Sequence, residues 1–89
     1  MQRIEVDRLS SKLGHPPNMK ALIKVLQILS QNGKMGKTSL SLYAHLNYNR
    51  LATIIDWLHE RNLVELTSES DKGYVILTSS GRELLQFLQ

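Results

Sequence analysis

Asn47-Tyr48-Asn49-Arg50-Leu51-Ala52-Thr53-Ile54-Ile55-Asp56-Trp57-Leu58-His59-Glu60-Arg61 is the stretch on which the fold turns. Leu51, Ile54, Ile55 and Leu58 recur at offsets of three, four and seven, the spacing of one face of an α-helix. Asn47 stands where an N-cap belongs, its side-chain oxygen able to accept from an otherwise unpaired amide of the first turn. The opposite side carries Asn49, Thr53, Asp56 and Glu60, with Arg50 and Trp57 along one shoulder and Ala52 along the other. The segment 47–61 is therefore expected to be a helix with a buried face and a polar ridge.

Moving toward the N-terminus, Leu46-Asn47 makes a turn, and Ser39 to His45 reads as a shorter helix with Thr38 as its cap and Leu40, Tyr43 and Ala44 packing inward. Before it, Asn18 caps a helix whose stripe is Leu22, Val25, Leu26 and Leu29 and which Asn32-Gly33 ends. Gly14-His15-Pro16-Pro17 discourages helix and sets off residues 1–17 as an arm. Within the arm, Val6, Leu9 and Leu13 have the spacing of a short amphipathic helix, and a frayed tail is the alternative.

Toward the C-terminus, Asn62 closes the long helix. Leu63 to Thr67 and Tyr74 to Thr78 are β-branched and aromatic segments flanking Ser68 to Gly73, a hairpin with a loop at its tip. A last helix follows, capped by Thr78 or by Ser80, the latter with Glu83 three residues on in a capping-box pattern. The order helix, short helix, turn, helix, hairpin, helix predicts a mainly α domain with a small β-hairpin (α+β). This is a winged helix-turn-helix: a three-helix core plus wing and C-terminal helix over residues 18–89.

Composition agrees with one small domain. The 89 residues are 42% hydrophobic and 21% charged, and none is cysteine, which rules out disulfides, thiol catalysis and thiolate metal sites. No run is long and apolar enough for a membrane span or a secretory signal, so a cytoplasmic, nucleoid-associated location is expected. The formal net charge is +3. Residues 1–37 carry net +5 and residues 63–89 net −2, so the basic surplus lies at the front.

Several pieces together resemble the archaeal winged helix-turn-helix family of predicted transcriptional regulators, over about Met19 to Leu88. They are Lys37-Thr38, Leu46-Asn47-Tyr48, Leu58 followed by Asn62-Leu63-Val64, and Tyr74 to Thr78 running into Gly81-Arg82-Glu83-Leu84. The resemblance implies a DNA-binding regulator or chromosomal protein, commonly dimeric, working without metal or small-molecule cofactor. Two features depart from the family. The wing tip Glu69-Ser70-Asp71-Lys72 is acidic on balance, and a long C-terminal coiled coil is not expected beyond the one short last helix.

The residues assigned to DNA are Lys34, Lys37, Thr38, Asn47, Tyr48, Asn49, Arg50, Thr53 and Lys72. Arg50 could pair with guanine or a phosphate and Asn49 with adenine, while Thr53 could meet a thymine methyl. Tyr48 either donates to a phosphate or packs its ring on the second helix. Lys34 and Lys37 either hold the DNA backbone or simply keep a loop soluble. Leu84, Leu85, Phe87 and Leu88 give the last helix a broad apolar surface, suggesting a homodimer through it or through the arm.

Enzymatic chemistry is not expected. His15, His45 and His59 lack metal-ligand spacing, and Ser41, Ser79 and Ser80 lack a nucleophile-elbow context. Gly33-Lys34-Met35-Gly36-Lys37-Thr38 only grazes the phosphate-loop pattern, with no strand before it. The leading expectation is duplex DNA binding as a transcriptional regulator, with helix 47–61 in the major groove and basic front residues on phosphates. A winged-helix protein-interaction module without DNA readout is the alternative.

Overall fold

A computed structural model describes residues 18–89. The arm expected over 1–17 lies outside the described residues. Helix α1 runs Met19–Asn32, α2 Lys37–Ala44, α3 Tyr48–Glu60 and α4 Ser79–Leu88, with strands β1 Val64–Glu69 and β2 Lys72–Leu77 between α3 and α4. This is the expected winged helix-turn-helix architecture.

Each long helix is bounded by the chemistry its sequence offers. Asn18 Oδ1 accepts from the amides of Lys20 at 2.9 Å and Ala21 at 3.2 Å. At the other end of α1, Gly33 takes φ 76°, a left-handed geometry suited to glycine, and its amide donates to Leu29 O. Asn47 Oδ1 accepts from Arg50 N at 2.8 Å to start α3. Asn62, at φ 59°, ends it, and the following Leu63 amide returns to Leu58 O at 2.9 Å. Asparagine fills this left-handed position because its short polar side chain tolerates it.

The core is one cluster in which Leu22, Val25, Leu26 and Leu29 of α1 meet Leu40 and Ala44 of α2 and Leu51, Ile54, Ile55 and Leu58 of α3. Met35 between α1 and α2, Val64, Val75 and Leu77 of the hairpin and Leu85 of α4 complete it. Burial of each large side chain stabilises by about 1.5–3 kcal/mol, so neither the helices nor the hairpin could hold its apolar face alone.

Three expectations are corrected. Helix α2 starts at Lys37, with Gly36 at the N-cap and no side-chain cap, so Thr38 sits inside the first turn. Extended backbone at Gly36, φ −72° and ψ 155°, lets the helix begin earlier than a threonine cap would. Tyr43 is 61% exposed because α2 turns Leu40, Ser41 and Ala44 inward instead; Ser41 is tolerated there since its hydroxyl donates to Thr38 O.

The hairpin strands run further than expected, to the pair Glu69 with Lys72, leaving a two-residue turn at Ser70 and Asp71. Both turn residues have positive φ, 51° and 66°, the twist that two-residue hairpins favour. At the start of α4 the cap is Thr78, whose Oγ1 accepts from Gly81 N at 3.0 Å, and Ser80 lies within the helix. A further pairing was not anticipated: Met35 and Val75 exchange backbone hydrogen bonds of 3.1 and 2.7 Å. It fastens the segment between α1 and α2 to the inner strand of the hairpin.

Candidate nucleic-acid interface

Helix α3 buries Leu51, Ile54, Ile55 and Leu58 and so turns Asn49, Thr53, Asp56 and Glu60 outward as an exposed ridge. Near its start this ridge offers an amide and a hydroxyl, groups able to meet base edges. Thr53 Oγ1 donates to Asn49 O at 3.1 Å, which leaves its methyl and an acceptor lone pair for a partner. Further along, Asp56 and Glu60 make the ridge acidic, so only the first two turns suit a polyanion.

Beside the ridge lies a groove of about 670 Å³, walled by Gly36 to Ser39 of the α2 start, Tyr48 of α3 and Leu66, Thr67 and Lys72 to Val75 of the hairpin. Four of the nine predicted contacts, Lys37, Thr38, Tyr48 and Lys72, converge here. The first-turn amides of α2 have no side-chain cap and open onto this groove. Unpaired helix N-terminal amides, two ammonium groups and the hydroxyls of Thr38, Ser39 and Tyr48 make a setting for an anionic oxygen. Gly73 O lies 3.6 Å from where a Cβ on Gly36 would stand, so the hairpin is held close to the α2 start.

Arg50 leaves α3 on the other shoulder. It lines a separate cleft of about 500 Å³ with Asn18, Lys20, Ala21, Lys24, His45 and Leu46, among others. Asn47 is exposed, but its side chain is engaged as the α3 cap. Lys34 is drawn to the hairpin, with its Nζ 2.5 Å from Glu69 Oε1 and 5.0 Å from the centre of the Tyr74 ring. The predicted residues thus divide between a ridge, two flanking grooves, a helix cap and an ion pair.

Trp57 packs against the core, and Arg61 stacks on its ring at 4.3 Å and donates from Nη1 to Trp57 O at 2.9 Å. Trp57 Nε1 and Arg61 Nε are buried without a hydrogen-bond partner among the described residues. Of the four α4 residues assigned to dimerisation, Leu85 is buried, Leu84 and Leu88 pack partly on the core, and Phe87 is 78% exposed.

Sequence reasoning missed the groove lining from Ser39, Thr67 and Tyr74, and it placed the basic surplus at the front without singling out Lys20 and Lys24. The i, i+4 spacing of those two lysines was the available signal. Among the described residues no cluster of three or more histidines and carboxylates could hold a metal ion. No helix there is long and apolar enough to cross a membrane.

With this geometry in view, a family profile described as winged helix-turn-helix matches residues 19–89. No curated protein sequence matches. Among solved structures, a MarR family transcriptional regulator from Silicibacter pomeroyi DSS-3 is 29% identical with a TM-score of 0.67, covering 76% of this chain and 49% of that one. Another MarR family regulator from Silicibacter pomeroyi is 24% identical with a TM-score of 0.75, covering 91% and 54%. Sso10a-2, a DNA-binding protein from Sulfolobus solfataricus, is 21% identical with a TM-score of 0.72, covering 79% and 72%. The last two likenesses show the fold alone, and the chain spans about half the length of the MarR family structures it matches.

Proposed function

The chain belongs to the winged helix-turn-helix family, and from that premise we propose that it binds double-stranded DNA as a transcriptional regulator. The first two turns of α3, with Tyr48, Asn49 and Thr53, enter the major groove. Alongside, the α2 start holds a backbone phosphate. The observation that carries the reading is the groove where Lys37, Lys72 and the uncapped α2 amides meet beside the α3 ridge. Phosphate contacts fix register there while the ridge offers side chains to base edges.

A titration with duplex DNA at several salt concentrations tests this. Each phosphate contact contributes a slope of about −0.9 to log affinity against log salt. The double substitution Lys37→Ala with Lys72→Ala should flatten the slope by about twice that amount. Absence of binding even at low salt would remove the proposal.

The same reading includes a homodimer in which the exposed Phe87 of α4 meets its counterpart. A monomer mass at all concentrations in sedimentation would count against it. The second reading, a protein-interaction module, draws on Leu42 and Tyr43, which stand 69% and 61% exposed on the outer side of α2. Retention of that patch without duplex binding is the result that would favour it.

A further inference from the structure

The cleft on the far shoulder of α3 gathers Lys20 and Lys24 from α1, His45 from the turn after α2, and Arg50 from α3, and among the described residues no acidic one lines it. Ala21, Ile23, Ala44 and Leu46 supply its apolar lining. Among the described residues the ion pairs are Lys34 with Glu69 and Arg61 with Glu60, so Lys20, Lys24 and Arg50 enter neither.

Two features of this cluster oppose folding. Lys20 and Lys24 are four residues apart on one helix, where like charges repel. They also occupy the first two turns of α1, whose first turn holds no acidic residue, although the positive end of a helix dipole favours anions. Like charges drawn from two helices and converging with no carboxylate of the described residues beside them are stabilised when a polyanion lies against them.

We propose that this cleft is a second phosphate site for duplex DNA. The inference rests on the duplex binding proposed above and adds a contact on the opposite side of α3. The major groove, about 12 Å wide, admits one helix between two phosphate backbones. Tyr48 and Arg50 face different grooves, so one backbone meets the α2 start with Lys37 and Lys72 while the other meets Lys20, Lys24 and Arg50. Arg50 then holds a phosphate and does not read a guanine edge. The sequence left those two roles open.

The test compares the unsubstituted chain, Lys20→Ala with Lys24→Ala, and Arg50→Ala, each titrated with a random-sequence duplex at several salt concentrations and each melted thermally. Removing the two lysines should reduce the steepness of the salt slope by about 0.9 per lysine, without lowering the melting temperature. Arg50→Ala should weaken binding by the same factor on the random duplex and on the tightest sequence selected from a pool. An unchanged slope for the lysine pair in a chain that otherwise binds with strong salt dependence would overturn the second site alone. A loss for Arg50→Ala confined to the selected sequence would overturn its phosphate role. Salt-independent behaviour of the unsubstituted chain would overturn the duplex-binding reading itself.

Discussion

Lys34 Nζ stands 2.5 Å from Glu69 Oε1 and also lies over the Tyr74 ring, so a cation from the segment before α2 is spent on the hairpin. The acidity of the wing tip is therefore partly answered within the chain. Lys37 and Lys72 enter neither ion pair found among the described residues, and the proposed phosphate role on this side of α3 falls to them.

Replacing Glu69 with Gln should release Lys34 and remove a negative charge near the groove. Both side chains are about half exposed, so stability should change by less than about 1 kcal/mol. Duplex affinity should rise and the salt slope should steepen, by up to about 0.9 if Lys34 gains one phosphate. Weaker binding by this variant would mean that the ion pair positions the wing for DNA.

Gly81 is fixed by close packing at the start of α4. A Cβ there would stand 2.2 Å from Leu63 O and 2.5 Å from Leu77 Cδ1. Glycine to alanine within an open helix normally stabilises by roughly 1 kcal/mol. Here the backbone oxygen cannot yield cheaply, so Gly81→Ala should reverse the sign and destabilise by about 1–3 kcal/mol in denaturant unfolding. A more stable variant would show that α4 can shift away from the α3 exit.

Thr78 joins three elements. Its Oγ1 donates to Asn62 O at 2.8 Å and accepts from Gly81 N at 3.0 Å, while its amide donates to Leu63 O at 3.1 Å. Thr78→Val keeps the shape and loses both hydroxyl bonds, for an expected cost of about 1–2 kcal/mol. Thr78→Ser should retain most of the stability. Equal melting temperatures for the two variants would contradict the role given to the hydroxyl.

Much of this was legible before the structure because periodicity and caps act locally. Leu51, Ile54, Ile55 and Leu58 are the buried side of α3, and Asn18, Asn47 and Asn62 occupy the helix ends assigned to them. What escaped depends on contacts distant in sequence. The Met35 pairing with Val75 leaves no local signature, and the Ser70-Asp71 turn lacks the Asn-Gly pair that usually announces a two-residue hairpin. Arg50 and Tyr48 could be assigned to one helix end from sequence, but their separation into two grooves follows from where α1 and the hairpin pack.

The proposed function requires that the α2 start and the α3 ridge be the face of the domain that meets DNA. The most direct measurement is to follow backbone amide resonances of the isotopically labelled chain during titration with duplex DNA. The largest changes should fall at Lys37, Thr38, Tyr48, Asn49, Thr53 and Lys72, with α4 little affected. Changes concentrated on α4, with the α2 start and the α3 ridge unperturbed, would contradict it.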